Sequence, residues 1–457
     1  MKIGVIGAGY VGLVTGTCLA ALGHEVVCVD TSQARIDLLN CGGCPIYEPG
    51  LIELIGSHRG AGRLRFSTDL AEAVVDRAAV FIAVGTPPGP DGAADLSYVR
   101  AAAAQIAPHL SGFTVVATKS TVPVGTGDEI EAILAADAPA ADVAVVSNPE
   151  FLREGAAIGD FMKPDRIVVG ADDRRAAEVM RRVYAPLTEA GAPLLLTDRR
   201  TSELIKYASN AFLAVKISYI NEIADLCEEI GADAARVAEG MGLDARIGPR
   251  FLQPGPGFGG SCFPKDTEAL LSTGAAAGQP LRVVSAAAEA NRERKRLLAA
   301  RVAAVAGDLE GRTVGVLGLT FKAGTDDMRE AAALELIPGL QQRGARVRAY
   351  DPKGMEAARD LLPGVAFCDD PYAAAEGAAA VVVLTEWGVF GTLDLERLAQ
   401  GMETPRLIDL RNLFDPAEAA RAGLDYVSLG RPAVQGAAAT GRVRSRPDAE
   451  RRASASA

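Results

Sequence analysis

The first part of the chain alternates short apolar runs with segments of helical periodicity. Residues 2–30 contain an apolar run (KIGVIGAG), a glycine turn, a helical segment and a second apolar run (EVVCVD), which is typical of one βαβ unit. Further apolar runs follow between alanine-rich segments, and they read AAVFIAVG, TVVATKST, VAVVSNPE, RIVVG and PLLLTD. This alternation predicts a doubly wound parallel sheet with helices on both faces.

From Ser202 the pattern changes to one long helical run, ELIKYASNAFLAVKISYINEIADLCEEIG, without proline or interior glycine. Apolar residues recur along it at helical spacing: Leu204, Ile205, Ala208, Phe212, Val215 and Tyr219. A run of this length suits a linking helix, and a second apolar face suits contact with a partner chain. We therefore expect a homodimer formed through this central helix.

A second α/β pattern begins at RTVGVLGLTF and continues through RVRAYD, VAFC, AAVVVLT and RLIDL. Together the patterns predict an α/β fold in which two Rossmann-like, doubly wound domains are joined by a long central helix. The predicted boundaries are 1–198 for the first domain, 199–310 for the helical linker and dimerisation region, and 311–430 for the second domain. Residues 431–457 lack a periodic apolar face, so we expect a disordered tail.

The chain has 457 residues, of which 49% are hydrophobic, and its formal net charge is −11. The length predicts two or three domains, and the negative charge argues against a broad nucleic-acid surface but permits a local basic pocket. The longest apolar runs fall short of the ~20 residues that a bilayer-spanning helix needs. Glycines interrupt the N-terminal apolar run, unlike in a signal peptide. We expect a soluble, cytoplasmic protein with no nucleic-acid or membrane partner.

Gly7, Gly9 and Gly12 form a G-x-G-x-x-G pattern directly after the first predicted strand, where a helix begins. Such glycines permit a tight turn, the approach of a pyrophosphate to the backbone and close packing of the helix. Asp30 ends the next strand, where a carboxylate would accept hydrogen bonds from ribose hydroxyls and repel a 2′-phosphate. The pattern predicts NAD rather than NADP, although Arg35 could help to hold either cofactor.

The stretch GFGGSCFPKD, residues 257–266, places Cys262 between a glycine cluster and a Pro-Lys-Asp tail. An isolated cysteine is most often a packed residue, and the alternatives are a disulfide, a metal ligand or a nucleophile. The seven cysteines are an odd and mostly scattered set, unlike a disulfide framework. Lys265 would favour a thiolate, and the glycines would let a ligand approach closely. These neighbours favour a nucleophile.

Three other features are expected to be structural. Cys41 and Cys44 form a C-x-x-C pair without a second pair, so we expect no metal site there. The three histidines stand at positions 24, 58 and 109, apart from the other motifs, and a histidine general base is not expected. The basic run RERKRLL, which begins at Arg292, is interpreted as a solvated helix face.

Seven motifs together resemble the UDP-glucose/GDP-mannose 6-dehydrogenase family. In chain order they read GAGYVG, AVGTP, KSTVPVG, NPEFLREG, KYASNAF, GFGGSCFPKD and GLTFKAGTDDMRE. The resemblance covers the chain from residue 1 to about residue 430 and keeps the family's order. The segments RIGPRFLQPGPGFGGSCFPKD and DGAADLSYV are similar to bacterial members of the family that act on UDP-glucose.

The resemblance implies a four-electron oxidation at one site, from alcohol to aldehyde to acid, with two NAD molecules used in turn. Cys262 would add to the aldehyde, because hydride leaves that carbon only after a nucleophile has added, and water would cleave the resulting thioester. The expected reaction converts UDP-glucose to UDP-glucuronate for surface polysaccharide. Oxidation of GDP-mannose or a UDP-N-acetylhexosamine is an alternative, as are a one-step hydroxyacid dehydrogenase and a non-catalytic NAD-sensing protein.

Family roles carried over residue by residue give a catalytic set. Lys206 and Asn210, one helical turn apart, would stabilise alkoxide and oxyanion charge. Asp266 would order the attacking water, and Glu150 or Glu154 would be the carboxylate near the reacting hydroxyl. Thr121 would hold a water or the cofactor. The implied catalytic residues are Cys262, Lys206, Asn210, Asp266, Glu150 and Thr121.

The resemblance also implies two sets of binding contacts. The cofactor contacts would be Gly7, Gly9, Tyr10, Val11, Gly12, Asp30, Arg35, Thr86, Thr121, Glu154, Lys265 and Arg329. The substrate contacts would be Phe151, Leu152, Arg153, Glu154, Lys206, Asn210, Arg246, Phe251, Leu252, Gln253, Pro254, Gly255, Gly259, Lys322 and Arg411. Lys322 and Arg411 would reach the diphosphate or sugar from the second α/β domain, and Arg246 would reach the site of the neighbouring subunit.

Overall fold

The computed structural model describes residues 1–89 and 92–437. In this part of the chain the first sheet contains the strands β1 (Lys2–Ile6), β2 (Glu25–Val29), β3 (Leu64–Ser67), β4 (Ala79–Ile82), β5 (Thr114–Thr118), β6 (Val143–Ser147), β7 (Ile167–Ala171) and β8 (Leu194–Thr197). They lie in the order β3-β2-β1-β4-β5-β6-β7-β8. The strand order reverses beside β1, which is where doubly wound sheets bind ligands.

Helices cover both faces of this sheet. They are α1 (Tyr10–Ala21), α2 (Gln33–Asn40), α3 (Leu51–Gly60), α4 (Leu70–Val74), α5 (Ser97–Ile106), α6 (Thr126–Asp137), α7 (Ala157–Met162) and α8 (Arg174–Glu189). Alternate residues of β1 serve opposite cores: Val5 packs with Leu13 and Tyr184 on one face, and Ile6 packs with Ile130 on the other. The prediction of a doubly wound sheet is confirmed.

The predicted all-parallel arrangement of this sheet is wrong at one pair. Strand β7 runs antiparallel to β6, with Val146 opposite Ala171. The chain after β6 stays at the carboxyl edge of the sheet as a loop, and the short helix α7 does not return it to the opposite edge, as a parallel pair requires. Strand β3 was not predicted either, because LRFS alternates buried and exposed residues and gives no apolar run.

Between the two sheets lie the helices α9 (Arg199–Ile230), α10 (Ala234–Gly242), α11 (Phe263–Ala276) and α12 (Arg282–Ala306). The long central helix is confirmed in α9. It begins after Asp198, whose side chain accepts a hydrogen bond from the amide of Thr201 at 2.8 Å, and it ends at Gly231 in the left-handed conformation. One side of α9 is apolar and solvent-exposed, through Leu204, Ala208, Phe212, Tyr219, Leu226 and Ile230.

The second sheet contains the strands β9 (Thr313–Leu317), β10 (Arg346–Tyr350), β11 (Ala366–Phe367), β12 (Ala380–Val383), β13 (Arg406–Asp409) and β14 (Asp425–Ser428). They are parallel, in the order β11-β10-β9-β12-β13-β14. The accompanying helices are α13 (Ala333–Gln341), α14 (Met355–Leu361), α15 (Pro371–Ala375), α16 (Leu395–Gly401) and α17 (Pro416–Arg421). The second Rossmann-like domain is confirmed, with β14 as an unpredicted edge strand.

The expected disordered tail is wrong for residues 431–437. Val434 pairs with Tyr426 as an antiparallel bridge, and the amide of Gly436 donates to Asp425 at 3.1 Å. Backbone pairing with the edge strand β14 orders this segment although it lacks an apolar period. Residues 438–457 lie outside the described residues. No helix within residues 1–89 and 92–437 is both long enough and apolar enough to cross a membrane.

The predicted site motifs follow strands of both sheets at their carboxyl ends. The glycine turn follows β1, and the loops after β4, β5 and β6 carry Thr86, Thr121 and Glu150. Lys322 follows β9 and Arg411 follows β13 in the second sheet. Because the carboxyl ends of parallel strands share one edge, each sheet collects its site residues at one rim.

Candidate active site

A cavity of about 810 Å³ joins the glycine turn to the region around Cys262. Its wall includes residues from both α/β domains and from the helical segment between them. The predicted site residues that line it are Gly9, Tyr10, Val11, Thr86, Thr121, Glu150, Leu152, Glu154, Cys262, Lys265, Asp266 and Arg329. A cavity of this size can take a cofactor end and a sugar nucleotide end together.

The three glycines of the turn serve different purposes. Gly7 has φ +103° and a Cβ there would lie 2.6 Å from the carbonyl oxygen of Ala83, so only glycine fits the turn. A Cβ on Gly12 would lie 1.9 Å from the carbonyl oxygen of Gly7. A Cβ on Gly9 would meet no protein atom within 4 Å, which leaves open space at the N-terminus of α1. A pyrophosphate fits this space and these amides.

Asp30 is held at the end of β2 by three donors. It accepts hydrogen bonds from the amides of Ala8 (2.8 Å) and Ser32 (2.9 Å) and from Arg35 (2.8 Å). Burial opposes its charge, but these three donors lower the pKa of Asp30 below its usual value. Arg35 is therefore engaged with the carboxylate, and the carboxylate stays ionised beside the space next to Gly9.

Cys262 is the N-cap residue of α11, and it is half-buried at the cavity wall. Two of the glycines before it are also required by contacts within the chain, and one of them, Gly260, lines the cavity. A Cβ on Gly259 would lie 2.2 Å from the carbonyl oxygen of Glu330, and a Cβ on Gly260 would lie 2.7 Å from the ring of Phe321. These glycines let the second α/β domain pack directly against the cysteine loop.

The contacts around Cys262 do not give Lys265 the role expected of it. Burial raises the pKa of Cys262 above its ordinary value, the carboxylates of Glu150 and Asp266 raise it further, and Lys206 opposes them. The lysine that favours the thiolate is thus Lys206. The ammonium group of Lys265 instead lies 2.7 Å from Asp266.

Lys206 and Glu150 form a buried ion pair, with Nζ 2.9 Å from Oε1. Burial disfavours the charge of Glu150, but Lys206 and the amide of Leu152 lower the pKa of this carboxyl. Burial likewise opposes the charge of Lys206, yet Glu150, Asp266 and Cys262 raise the pKa of the ammonium. Both groups therefore remain charged in the site.

Asn210 follows Lys206 on the same face of α9, as the sequence predicted, and binds Asp266. Its Nδ2 donates to one carboxylate oxygen of Asp266 at 2.6 Å, and Lys265 donates to the other at 2.7 Å. Lys265 also lies 3.4 Å from the hydroxyl of Thr86, which lines the cavity beside Thr121. Asp266 is 1% exposed, so its two oxygens are fixed by these donors.

Glu154 lies where the three parts of the chain meet. It accepts hydrogen bonds from Ser261 (3.1 Å) in the cysteine loop and from Thr325 (3.2 Å) in the second α/β domain. Arg329 lies 3.5 Å away, although it pairs more closely with Asp327. Burial and then Asp327 raise the pKa of Glu154, in contrast to Glu150.

The predicted substrate segment 251–255 is held by the central helices α9 and α12 and lies close to Arg411 of the second α/β domain. Gly255 donates its amide to Asn221 at 2.8 Å, and its carbonyl accepts from Arg294 at 2.7 Å. A Cβ on Gly255 would lie 3.2 Å from a guanidinium nitrogen of Arg411. Lys322 interacts electrostatically with Glu154 and Cys262, and burial lowers the pKa of its ammonium. Both predicted cations of the second domain thus face the central segments.

Only some of the other predicted substrate residues have their side chains at the site. Phe151 lies under the ammonium of Lys206, 5.4 Å from it to the ring centroid. The side chain of Arg153 turns outward to Asp160, so only its backbone belongs to the site loop. Arg246 is 89% exposed, pairs with Asp244 and is not brought to the cavity within one chain.

The structure adds two residues of α12 that the sequence reasoning missed. Asn291 accepts from the amide of Phe258 (2.8 Å) and donates to its carbonyl (3.0 Å), while Lys295 binds Glu330 at 2.8 Å. The solvated-face interpretation of RERKRLL is therefore wrong in part, since Arg294 and Lys295 are buried against the site loops. The i, i+4 spacing of Asn291 and Lys295 was the available signal.

Lys119 is the first residue of the motif KSTVPVG, and no function was predicted for it. It is a buried cation close enough to interact with Glu150. Its Nζ lies 3.2 Å from Oδ1 of Asn148 and 3.2 Å from the hydroxyl of Tyr184. Burial lowers the pKa of Lys119 to about 8, against the attraction of Glu150. The carboxylate of Glu150 is thus flanked by a second ammonium group besides that of Lys206.

Family models match three consecutive parts of the chain. Residues 1–188 match the NAD binding domain of the UDP-glucose/GDP-mannose dehydrogenase family, residues 200–293 its central domain and residues 315–416 its UDP binding domain. The chain belongs to the UDP-glucose/GDP-mannose dehydrogenase family. It is accordingly an NAD-dependent oxidoreductase, and the predictions of this family and of NAD as cofactor are confirmed.

Individual family members are similar over nearly their whole length. A UDP-glucose 6-dehydrogenase of Rhizobium meliloti (strain 1021) is 58% identical over 436 residues, which cover 94% of this chain and 100% of that protein. The solved UDP-glucose dehydrogenase of the hyperthermophilic archaeon Pyrobaculum islandicum has a TM-score of 0.86 at 42% identity, over 93% of this chain and 96% of that one. The UDP-D-ManNAc dehydrogenase of Pyrococcus horikoshii has a TM-score of 0.83 at 27% identity, over 94% and 99%.

Proposed function

We propose that the enzyme oxidises the primary hydroxyl of UDP-glucose to a carboxylate and thereby makes UDP-glucuronate. The observation that carries the proposal is the position of Cys262. It lines the same cavity as the glycine turn and interacts electrostatically with both Lys206 and Asp266. A one-step hydroxyacid dehydrogenase has no use for a cysteine there. The two similar UDP-glucose enzymes, at 58% and 42% identity, favour glucose over the N-acetylhexosamine of the 27% relative.

The first oxidation requires a cation near the developing alkoxide and a group that takes the hydroxyl proton. Lys206 supplies the cation, because the surrounding carboxylates keep it protonated. Glu150 stays ionised and holds Lys206 in place. Of the two carboxylates, Glu154 is the one whose pKa is raised, so it is better suited than Glu150 to exchange a proton near neutral pH.

The second oxidation requires Cys262. Its sulfur adds to the aldehyde carbon while the thiol proton passes by way of a carboxylate to the carbonyl oxygen, which gives a thiohemiacetal. Loss of hydride from carbon and of the hydroxyl proton leaves a thioester. Water then adds to the thioester, Asp266 takes a proton from that water and returns it to the departing sulfur, and the sulfur leaves as the thiol. Asn210 and Lys265 hold the carboxylate of Asp266 in a fixed position for this step.

When bound, NAD accepts the hydride of each oxidation. Gly9, Tyr10 and Val11 would receive its pyrophosphate at the start of α1, and Asp30 would bind the ribose hydroxyls. Thr86 and Thr121 line the same cavity as that turn and Cys262, and they would contact the reactive end of the cofactor there. Lys322 and Arg411 supply the positive charge for the diphosphate of the sugar nucleotide.

We also propose that the enzyme is a homodimer through α9. The exposed apolar residues Phe212, Tyr219, Leu226 and Ile230 lie on one side of this helix, with Leu226 52% and Phe212 64% exposed. A contiguous apolar surface of this kind is typical of a protein interface. The exposed Arg246 lies beyond α10 and is free to reach the neighbouring subunit, which gives it the expected role in substrate binding. A reactive thiol also favours a reducing, cytoplasmic location.

Spectrophotometric turnover with UDP-glucose, GDP-mannose and a UDP-N-acetylhexosamine tests the proposal. We expect oxidation of UDP-glucose with two NADH per molecule consumed. One NADH per substrate would contradict the thioester mechanism. Turnover of another sugar nucleotide, without turnover of UDP-glucose, would show that UDP-glucose is not the substrate. Cys262→Ser should make no acid but still interconvert alcohol and aldehyde. Cys368→Ser, at another free cysteine in the second domain, is the matched control and should keep acid production.

A further inference from the structure

Glu48 joins the glycine turn to the loop that carries Glu150 and Glu154. This residue is 6% exposed and lies in the segment PIYEPG, between Cys44 and the start of α3. One carboxylate oxygen accepts hydrogen bonds from the Tyr10 hydroxyl and from the amide of Gly155 at 2.6 Å. The other accepts from the amide of Ala157 at 2.7 Å.

One end of this connection lies at the cofactor side of the cavity. Tyr10 is the first residue of α1 and lines the cavity next to Gly9. Burial, followed by the charge of Glu48, raises the pKa of Tyr10, so its hydroxyl keeps the proton that it donates. A ligand that binds in the open space at Gly9 therefore contacts Tyr10, the residue that is hydrogen-bonded to Glu48.

The other end lies at the sugar-nucleotide side. Gly155 directly follows Glu154, which accepts from Ser261 in the cysteine loop and from Thr325 in the second α/β domain. Gly155 has φ +79°, and a Cβ there would lie 2.6 Å from the carbonyl oxygen of Gly324. Because this contact has no spare room, a shift of the loop at Gly155 is felt by the second domain.

We propose that Glu48 is a positioning residue that couples cofactor binding to sugar-nucleotide binding. The proposal rests on the proposed function, since it assigns the two ends of the Glu48 connection to the two substrates of that reaction. Binding at Gly9 orders Tyr10, the hydroxyl of Tyr10 fixes Glu48, and Glu48 fixes the amide of Gly155 beside Glu154. Coupling of this kind is reciprocal, so each ligand strengthens the other by the same factor.

The alternative is that Glu48 only satisfies the amides at the start of α7. In that case the bonds to Gly155 and Ala157 matter and the bond from Tyr10 does not. Tyr10→Phe separates the two roles, because it removes one hydroxyl and leaves both amide bonds of Glu48 in place. Glu48→Ala removes all three and tests stability as well.

NADH fluorescence measures the coupling without turnover, because NADH and UDP-glucose together hold no oxidant. The dissociation constant of NADH is measured with and without saturating UDP-glucose in the wild type, Tyr10→Phe and the matched control Tyr98→Phe, which alters an exposed tyrosine. We expect UDP-glucose to tighten NADH binding about tenfold in the wild type and the control, the effect of one hydrogen bond to a charged group. In Tyr10→Phe the two dissociation constants of NADH, without and with UDP-glucose, should be about equal, so that their ratio falls to about one.

Two results would overturn the inference: Tyr10→Phe with the wild-type ratio, or a wild type that binds both ligands independently. Thermal unfolding of Tyr10→Phe checks that the variant is folded. A change in the ratio of NADH dissociation constants can then be assigned to the missing hydroxyl. Calorimetry tests whether UDP-glucose binds the wild type. If it does not bind, the proposed function is contradicted and not the coupling. The same NADH titration is then made with UDP, the nucleotide that the matched UDP binding domain indicates, and its ratio decides the inference separately.

Discussion

The Nζ atom of Lys206 lies 2.9 Å from Oε1 of Glu150, and both side chains are almost fully buried. The pair connects α9 to the loop after β6, so it fixes one side of the cavity as well as its charge. The largest stabilisation of each charge comes from the other group, so removal of one leaves a poorly compensated buried charge, whereas removal of both does not.

This relationship predicts opposite behaviour of single and double variants at the pair. Lys206→Met and Glu150→Gln should each lower the free energy of unfolding by about 3–5 kcal/mol, and the double variant should recover most of that loss. None of the three should oxidise the sugar nucleotide, because the cation at the alkoxide is absent or misplaced. Urea unfolding and NADH formation measure the two effects. A double variant with the summed loss of both singles would show that the residues act independently.

The stability of the pair should also depend on pH in two directions. The lowered pKa of Glu150 means that its contribution is present above the ordinary carboxyl pKa of about 4.3 and is lost as the pH falls. The raised pKa of Lys206 means that its contribution is present below the ordinary lysine value of about 10.4 and is lost as the pH rises through the folded value. The stability gap between wild type and double variant should therefore narrow at both extremes.

The raised pKa of Cys262 predicts a thiol, not a thiolate, in the free enzyme at neutral pH. The pH at which its alkylation by iodoacetamide is half-maximal should lie above the ordinary cysteine value of about 8.5. Lys206→Met should move that midpoint higher, because Lys206 is the group that favours the thiolate. Saturating NAD should move it lower, since the cofactor brings a positive ring into the cavity. Cys262→Ser gives the background from other cysteines, and a wild-type midpoint below about 8.5 would contradict the assignment.

Local patterns predicted the elements that depend on neighbours in sequence. The glycine turn, Asp30 and the pairing of Lys206 with Asn210 on one face follow from strand–turn–helix and helical spacing, and the structure places them so. The long helix α9 was predicted from Ser202 onward, because that run has apolar residues at helical spacing and no proline or interior glycine, and the structure gives it the range Arg199–Ile230. The seven motifs then located most of the cavity wall.

Contacts between distant segments could not be predicted in the same way. Lys265 was expected to activate Cys262 because it is three residues away, but folding gives Lys265 to Asp266 and brings Lys206 toward the sulfur. The glycines before Cys262 were interpreted as allowing close approach of a ligand, and the sequence did not show that Gly259 and Gly260 are also needed for packing against Glu330 and Phe321 of the second domain. A sequence shows that a position needs glycine, but not which atoms require it.

The apolar side of α9 predicts a dimer that one charged substitution breaks. Phe212→Asp should lower the molecular mass in analytical ultracentrifugation from two chains to one, because it places a charge in the centre of the proposed interface. Leu361→Asp is the control, since Leu361 is 50% exposed on α14 of the second domain. If Arg246 acts across the interface, the Phe212→Asp monomer should also bind UDP-glucose more weakly. An unchanged mass would place the interface elsewhere.

The contact between Gly260 and Phe321 predicts that one methyl group disturbs the cysteine loop. Gly260 and Gly278 flank α11 and both have left-handed backbones, with φ +81° and +69°. A Cβ at Gly260 would lie 2.7 Å from the Phe321 ring, while a Cβ at Gly278 would meet no atom within 4 Å. Gly278→Ala should therefore cost only the backbone strain, about 1–2 kcal/mol, and keep turnover. Gly260→Ala should cost about 1–3 kcal/mol more and lower turnover at least tenfold, because the loop has to move away from the second domain. Equal turnover in the two variants would mean that the position of this loop against Phe321 does not matter for the reaction, whereas recovery in Gly260→Ala/Phe321→Ala would assign the loss to the ring.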